Sequence, residues 1–191
     1  MSDHYAAALD HFEAHGFATI PDFLPEEIVR TLSTEIDTMR SQGEMKKAGI
    51  GREAGFLVKA DERGDFIHWI DPLEASPNAK IYLETLQELI TQINRNFYLG
   101  IRDTEIHYAE YPEGTFYKRH SDKHRDGSAR AVSMVFYLNE NWKEEDGAMH
   151  DILPCAGTLA FFLSDKEHEV LITKRSRKSI TGWLLNKESF L

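Results

Sequence analysis

Two histidines and a carboxylate stand where they could hold one metal ion: His120-x-Asp122, and His168 further along the chain. Such a set on one face of a metal leaves three coordination positions open, which suits a ferrous ion that must also take up small ligands. Nine residues after His168 comes Arg177, whose planar fork could grip a carboxylate through two parallel hydrogen bonds. Iron and a dicarboxylate are therefore the chemistry these four residues suggest. The His-x-acid pair alone is weak, because the chain has three: His11-x-Glu13, His120-x-Asp122 and His124-x-Asp126. The first lies in a helical pattern, where residues two apart do not share a face. The third runs into Asp126-Gly127-Ser128, which is turn chemistry and spoils a fixed projection. At a strand end, by contrast, His120 and Asp122 project to one side.

The third ligand must come from a distant strand. His168 sits where Ser164-Asp165-Lys166-Glu167 gives way to the strand-like His168-Glu169-Val170, and a two-strand hairpin is expected to return Arg177 beside the metal. The plainer alternatives are a surface histidine and a solvated turn, Lys174-Arg175-Ser176-Arg177-Lys178. Upstream, two amphipathic helices are expected, one presenting Ala6, Leu9 and Phe12, the other opened by Pro25 at its first turn and presenting Ile28, Val29, Leu32, Ile36 and Met39. Phe17 to Ile20 reads as a short strand between them. Residues 41–55 carry four glycines among charges and read as a loop, followed by strands at Phe56 to Ala60 and Phe66 to Ile70. A third helix runs from Asn78 to about Phe97, burying Ile81, Leu83, Leu86, Leu89, Ile90 and Ile93.

From Thr104 onward the pattern changes to short β-branched and aromatic runs: Ile106 to Tyr111, Thr115 to His120, Ala131 to Leu138, Thr158 to Leu163, Glu169 to Thr173 and Ser179 to Leu185. Turn-rich segments separate them, which predicts an antiparallel sandwich or barrel. Helices first and strands later make an α+β domain with helices against one side of the β-fold. Length and composition suit one domain over 1–191, residues 1–103 giving helical support and short strands and 104–185 the β-core. A net charge of −10 disfavours nucleic acid or an anionic membrane as partner. One cysteine, Cys155, excludes an internal disulfide or a Cys-based zinc cluster and fits a reducing compartment, and no apolar run is long enough to span a bilayer. A cytoplasmic protein is expected.

Taken together, Tyr111-Pro112-x-Gly114-x-x-Tyr117-x-x-His120-x-Asp122, Arg130 through Tyr137-Leu138-Asn139-x-x-Trp142, His168-Glu169-Val170 and Arg177-x-x-x-Thr181-x-Trp183 resemble the 2-oxoglutarate/Fe(II) dioxygenases. The likeness is to the prolyl 4-hydroxylases of the EGLN-like and bacterial type. It extends upstream through Arg63-Gly64-Asp65-x-Ile67-x-Trp69. The resemblance implies a double-stranded β-helix, a jelly-roll or cupin-like core. It implies Fe(II) on His120, Asp122 and His168, and the distal carboxylate of 2-oxoglutarate on Arg177, with Tyr137 and Thr181 assisting and Tyr111, Val135 and Met149 lining the cavity. It places Arg130 and Trp183 at a substrate proline, and Arg63 with Asp65 at a loop over a peptide. The bland counterparts are core aromatics for Tyr137 and Trp183, and a surface pair capping a turn for Arg63 and Asp65.

What the resemblance implies is hydroxylation of a prolyl residue in a peptide or protein, with O2 consumed, succinate and CO2 released, and ascorbate as a candidate reductant. Two departures bear on substrate: Asp146-Gly147-Ala148-Met149-His150 stands where relatives show paired glycines, and Leu171-Ile172-Thr173 lacks a frequent proline. A hydroxylase of a free amino acid or other small molecule, and a metal-binding β-barrel without catalysis, remain open at this point. The glycine-rich 43–55 stretch followed by Arg63-Gly64-Asp65 favours a lid over a groove, and with it a peptide substrate.

Overall fold

A computed structural model describes residues 5–49, 61–123, 129–147 and 152–187. The expected strand at 56–60, the turn at 124–128 and Met149 lie outside the described residues. In chain order the elements are α1 (Ala6–His15), β1 (Phe17–Ile20), α2 (Glu26–Gln42), β2 (Lys46–Lys47), β3 (Phe66–Trp69), α3 (Pro77–Phe97), β4 (Asp103–Tyr111), β5 (Tyr117–His120), β6 (Arg130–Tyr137), β7 (Leu159–Leu163), β8 (His168–Val170) and β9 (Arg177–Leu185). Seven strands form one sheet in the order β1-β7-β6-β9-β4-β3-β2, and β5 pairs with β8 in a second. Every pairing between these strands is antiparallel. The helices followed by a jelly-roll-like pair of sheets realise the expected α+β double-stranded β-helix.

Alternation along the strands of the large sheet divides its two faces. Ile106 and Tyr108 of β4, Val132, Met134 and Phe136 of β6, Leu159 and Phe161 of β7, and Ile180 and Leu184 of β9 join the helices in a continuous apolar core. Phe161 stacks on Phe12 of α1 with ring centres 5.1 Å apart, and Phe136 on Tyr82 of α3 at 5.4 Å. The three helices therefore cover one face and leave the other to polar side chains. On that second face lie Glu105, His107 and Tyr111 of β4, Ser133, Val135 and Tyr137 of β6, and Arg177, Ser179, Thr181 and Trp183 of β9. Gly182 lets β9 lie close against β4, because a Cβ there would collide with the Glu105 carbonyl oxygen.

Some boundaries and faces differ from expectation. Ala6 is exposed and Tyr5 is buried in its stead. Ile81 is 39% exposed, because the inward stripe of α3 runs through Ala79, Tyr82, Leu86, Leu89, Ile90 and Ile93. Pro25 is the residue before α2, not part of its first turn. Thr115, expected in a strand, closes a turn by donating its hydroxyl to the Pro112 carbonyl at 2.6 Å. The basic run near the C-terminus is not simply solvated: Lys178 pairs with Asp37 at 2.6 Å and Arg175 with Asp146 at 3.1 Å. Among the described residues no helix is long and apolar enough to cross a membrane.

Candidate metal and cosubstrate site

The short second sheet exists to oppose two histidines. In its register His120 of β5 stands directly across from His168 of β8, and Asp122, just past β5, is buried between them. Asp122 Oδ1 is 3.6 Å from His120 Nε2, and Oδ2 is 3.3 Å from His168 Nε2. One donor atom from each residue lies within 4.8 Å of the other two. His120 Nδ1 is 2.7 Å from the Lys118 carbonyl and His168 Nδ1 is 3.1 Å from the Lys166 carbonyl. A carbonyl oxygen only accepts, so both Nδ1 atoms carry the proton, and when the rings are neutral both Nε2 atoms present a lone pair. Three electron-rich atoms converging on one point repel one another unless a cation sits among them. The donor set fits Fe(II), with open positions beside it.

Asp122 is held ionised. Burial works against its charge, but hydrogen bonding with His120, the field of His168 and a hydroxyl from Ser133 outweigh that and hold the carboxyl well below the usual range. Ser133 Oγ donates to Asp122 Oδ2 at 2.7 Å and lies 3.0 Å from Ser164 Oγ. Both serines are buried. For His168 the shift is downward, burial being the largest cause. Phe162 packs on the His168 ring at 4.6 Å and fixes its plane.

Arg177 does not arrive by a hairpin. β8 belongs to the small sheet, while β9 lies between β6 and β4 in the large one, so the chain crosses between sheets after Val170. The crossing is anchored at Thr173, whose N–H donates to the Thr115 carbonyl at 3.0 Å and whose carbonyl accepts from Gly114 at 2.7 Å. Arg177 thus opens β9 opposite Tyr111, and its guanidinium carbon lies 5.4 Å from the Tyr111 ring centre and 5.2 Å from that of Tyr137. It is buried, and among the described residues no carboxylate pairs with it. A cavity of about 740 Å³ is lined by Val135, Tyr137, Phe162, His168, Val170 and Arg177. A buried cation facing a cavity without an acidic partner calls for an anionic ligand. Thr181 lies on the same face with its hydroxyl 3.2 Å from Ser179 Oγ.

Arg130 and Trp183 come together: the guanidinium carbon is 3.4 Å from the indole centre, and Arg130 pairs with Glu105 at 2.9 Å. His107 packs between Trp183 and Trp69, with ring centres 5.5 Å and 4.9 Å away, tilted to the first and edge-on to the second. Arg63 and Asp65 also meet, but inside the protein, Asp65 being 2% exposed, which rules out a solvated surface pair. Ser133, Ser164, Phe162 and His107 were not singled out from the sequence. Ser133 was within reach, standing two residues before Val135 and four before Tyr137 on a strand already assigned to the cavity face.

The profile of the 2OG-Fe(II) oxygenase superfamily matches residues 106–185. A prolyl-4-hydroxylase from Pseudomonas putida superposes with a TM-score of 0.85 at 38% identity, covering 96% of this chain and 99% of that one. The chain belongs to the 2OG-Fe(II) oxygenase superfamily. The oxygenase also superposes on a Trichoplax adhaerens prolyl hydroxylase solved with a hypoxia inducible factor peptide, at a TM-score of 0.81 and 28% identity, covering 94% of this chain and 87% of that one. It is 29% identical to human Egl nine homolog 1 over 192 residues, 91% of this chain and 45% of that protein. The oxygenase therefore spans about half the length of that curated relative. Fe(II) and 2-oxoglutarate are the cofactor and cosubstrate of the superfamily, and the donor set and the buried Arg177 fit both.

Proposed function

We propose that the oxygenase hydroxylates a prolyl residue in a peptide or protein, using His120, Asp122 and His168 to hold Fe(II) and Arg177 to hold the distal carboxylate of 2-oxoglutarate. The observation that carries the chemistry is the buried guanidinium of Arg177, which shares a cavity with His168 and has no carboxylate partner among the described residues. The prolyl target is favoured by the likeness to the Pseudomonas putida enzyme over nearly its whole length.

When bound, the metal and cosubstrate supply the oxidising chemistry, with 2-oxoglutarate leaving as succinate and CO2. The chain supplies orientation and exclusion of water. Arg177 fixes which end of the dicarboxylate faces the metal. Burial raises the Tyr111 phenol well above its ordinary range and the Tyr137 phenol above its ordinary value, so both keep their protons and can donate to a carboxylate. Val135 lines the same cavity, and we assign Thr181, on the same face of the sheet, and Met149 to the same role. Ser133 keeps the Asp122 carboxylate turned toward the histidines. Trp183, with Arg130 stacked on it, offers a flat apolar surface for a proline ring, and Trp69, 50% exposed, continues that surface toward solvent. Arg63 and Asp65 belong to the proposal as residues of the substrate-side segment. Ascorbate as reductant, a single catalytic domain over 1–191 and a cytoplasmic location, which suits the single Cys155, complete the reading.

The test is to incubate Fe(II)-loaded protein with 2-oxoglutarate and O2, alone and with short proline-containing peptides or free proline, following succinate and the gain of one oxygen atom by mass spectrometry. Peptide-dependent succinate with an oxygenated proline is expected. Turnover of free proline but of no peptide would overturn the peptide assignment, and no 2-oxoglutarate turnover under any condition would overturn the enzymatic one. Omitting ascorbate is expected to shorten the period of linear turnover.

A further inference from the structure

Arg63 reaches the metal centre through two stacked rings. Its Nε and Nη2 atoms donate to the two carboxylate oxygens of Asp65 at 2.7 Å and 2.5 Å, and Nη1 lies 3.4 Å from the Gly49 carbonyl. The guanidinium held in this way lies against Tyr117, its central carbon 4.4 Å from the ring centre. On Tyr117 rests the imidazole of His120, the rings 3.6 Å apart and inclined by only 20°. Since the Lys118 carbonyl fixes one edge of that imidazole, Tyr117 fixes a face, and the two together leave it one orientation.

The backbone makes the same connection. Arg63 and Tyr117 form an antiparallel bridge, flanked by Gly64 N–H to the Phe116 carbonyl at 3.0 Å and Lys118 N–H to the Glu62 carbonyl at 2.9 Å. Residues 62–64 thus occupy the edge of β5 that β8 does not. A two-stranded sheet is marginal by itself, so this third segment stabilises the strand that carries His120. The approach is close enough that a Cβ on Gly64 would stand 2.7 Å from the Thr115 Cβ.

We propose that Arg63, acting through Tyr117, is a positioning residue for the metal ligand His120, and that this, not direct contact with a peptide, is its main role. The inference rests on the reading of His120 as a metal ligand. A guanidinium is needed because only a planar fork can be held by a carboxylate on its edge while stacking on a ring with its face. Loss of outer contacts that orient a ligating histidine weakens metal binding by about tenfold to a hundredfold.

The experiment titrates metal-free protein with Co(II), following the visible spectrum of the bound ion, for wild type, His120→Ala, Arg63→Met, Arg63→Lys, Tyr117→Leu and Tyr117→Phe. Thermal unfolding of each metal-free protein serves as the control for folding. Arg63→Met and Tyr117→Leu are expected to bind about tenfold to a hundredfold more weakly and to show an altered spectrum. Arg63→Lys is expected to lose most of the affinity although it keeps the charge. Tyr117→Phe, which keeps the ring, is expected to bind as wild type does. If wild type and His120→Ala bind alike, the metal assignment falls and the inference with it. If His120→Ala fails to bind while Arg63→Met and Arg63→Lys match wild type and raise only the KM for a peptide, the positioning role is overturned and the metal assignment stands.

Discussion

Removing the charge of Arg177 should separate cosubstrate binding from stability in opposite directions. Consider Arg177→Met, which keeps an unbranched apolar stem. In the wild type two charge-assisted hydrogen bonds to a carboxylate contribute about 1.5–3 kcal/mol each. Their loss weakens 2-oxoglutarate binding by about two to four powers of ten, at roughly 1.4 kcal/mol per power. The ligand-free protein behaves differently. There the guanidinium is buried against two tyrosine rings 5.2 Å and 5.4 Å away, each contact giving about 0.5–1 kcal/mol. Burial of a charge without an acidic partner costs several kcal/mol. The variant should therefore be as stable as wild type without ligand, or more stable by about 1–2 kcal/mol, which is up to about 8 °C in Tm for a chain of this size. Thermal unfolding of the metal-loaded proteins over a 2-oxoglutarate series measures both effects, since ligand stabilisation grows as RT ln(1 + L/Kd), with L the free ligand concentration. A titration of metal alone completes the set. A variant that unfolds well below wild type, or whose 2-oxoglutarate affinity falls less than tenfold, or whose metal affinity falls in step with it, would refute the assignment of Arg177.

Two further outcomes follow from particular contacts. Ser133→Ala leaves the Asp122 carboxylate without its 2.7 Å donor and should weaken metal binding about tenfold with little change in affinity for 2-oxoglutarate at saturating metal; isothermal titration of each ligand checks this. His107 is buried with no partner for Nδ1 among the described residues, and burial lowers its pKa from 6.5 to about 4. Its charged form is disfavoured in the folded state, so the unfolded chain takes up the proton first, and stability is lost as pH falls from about 6.5 to about 4. That depression corresponds to about 3 kcal/mol. Comparing His107→Phe with wild type by urea unfolding across this window should show a shallower fall for the variant, and parallel curves would contradict it.

How much of this was legible beforehand differs by the range of the interaction. The inward stripes of α2 and α3, the strand-rich second half, and the shared face of Arg177, Thr181 and Trp183 follow from periods of 3.6 and 2 that act within one element. Ile81 was misplaced because several apolar residues compete for one stripe on α3, and packing against Phe136 selects Tyr82. The hairpin expected to carry Arg177 failed for a deeper reason. A short spacing between two strand-like runs is equally compatible with a turn inside one sheet and a crossing between two. The hydrogen bonds that decide, Thr173 with Thr115 and Gly114, come from residues nearly sixty positions upstream.

The same distinction explains why a surface pair stood as the plain alternative for Arg63-x-Asp65. Arginine and aspartate two apart around a glycine are ordinary turn chemistry, and nothing within those three residues marks them as buried. Burial comes from docking 62–64 on β5, which requires Thr115 to pack against Gly64 and the Tyr117 ring to lie under the guanidinium. Once that docking is made, the metal strand is held from both edges: β8 brings the second histidine on one side, and Arg63 clamps the first through Tyr117 on the other. The weak His-x-Asp pair thus acquires its geometry from residues on both sides of it in space, and neither neighbour is close to it in sequence.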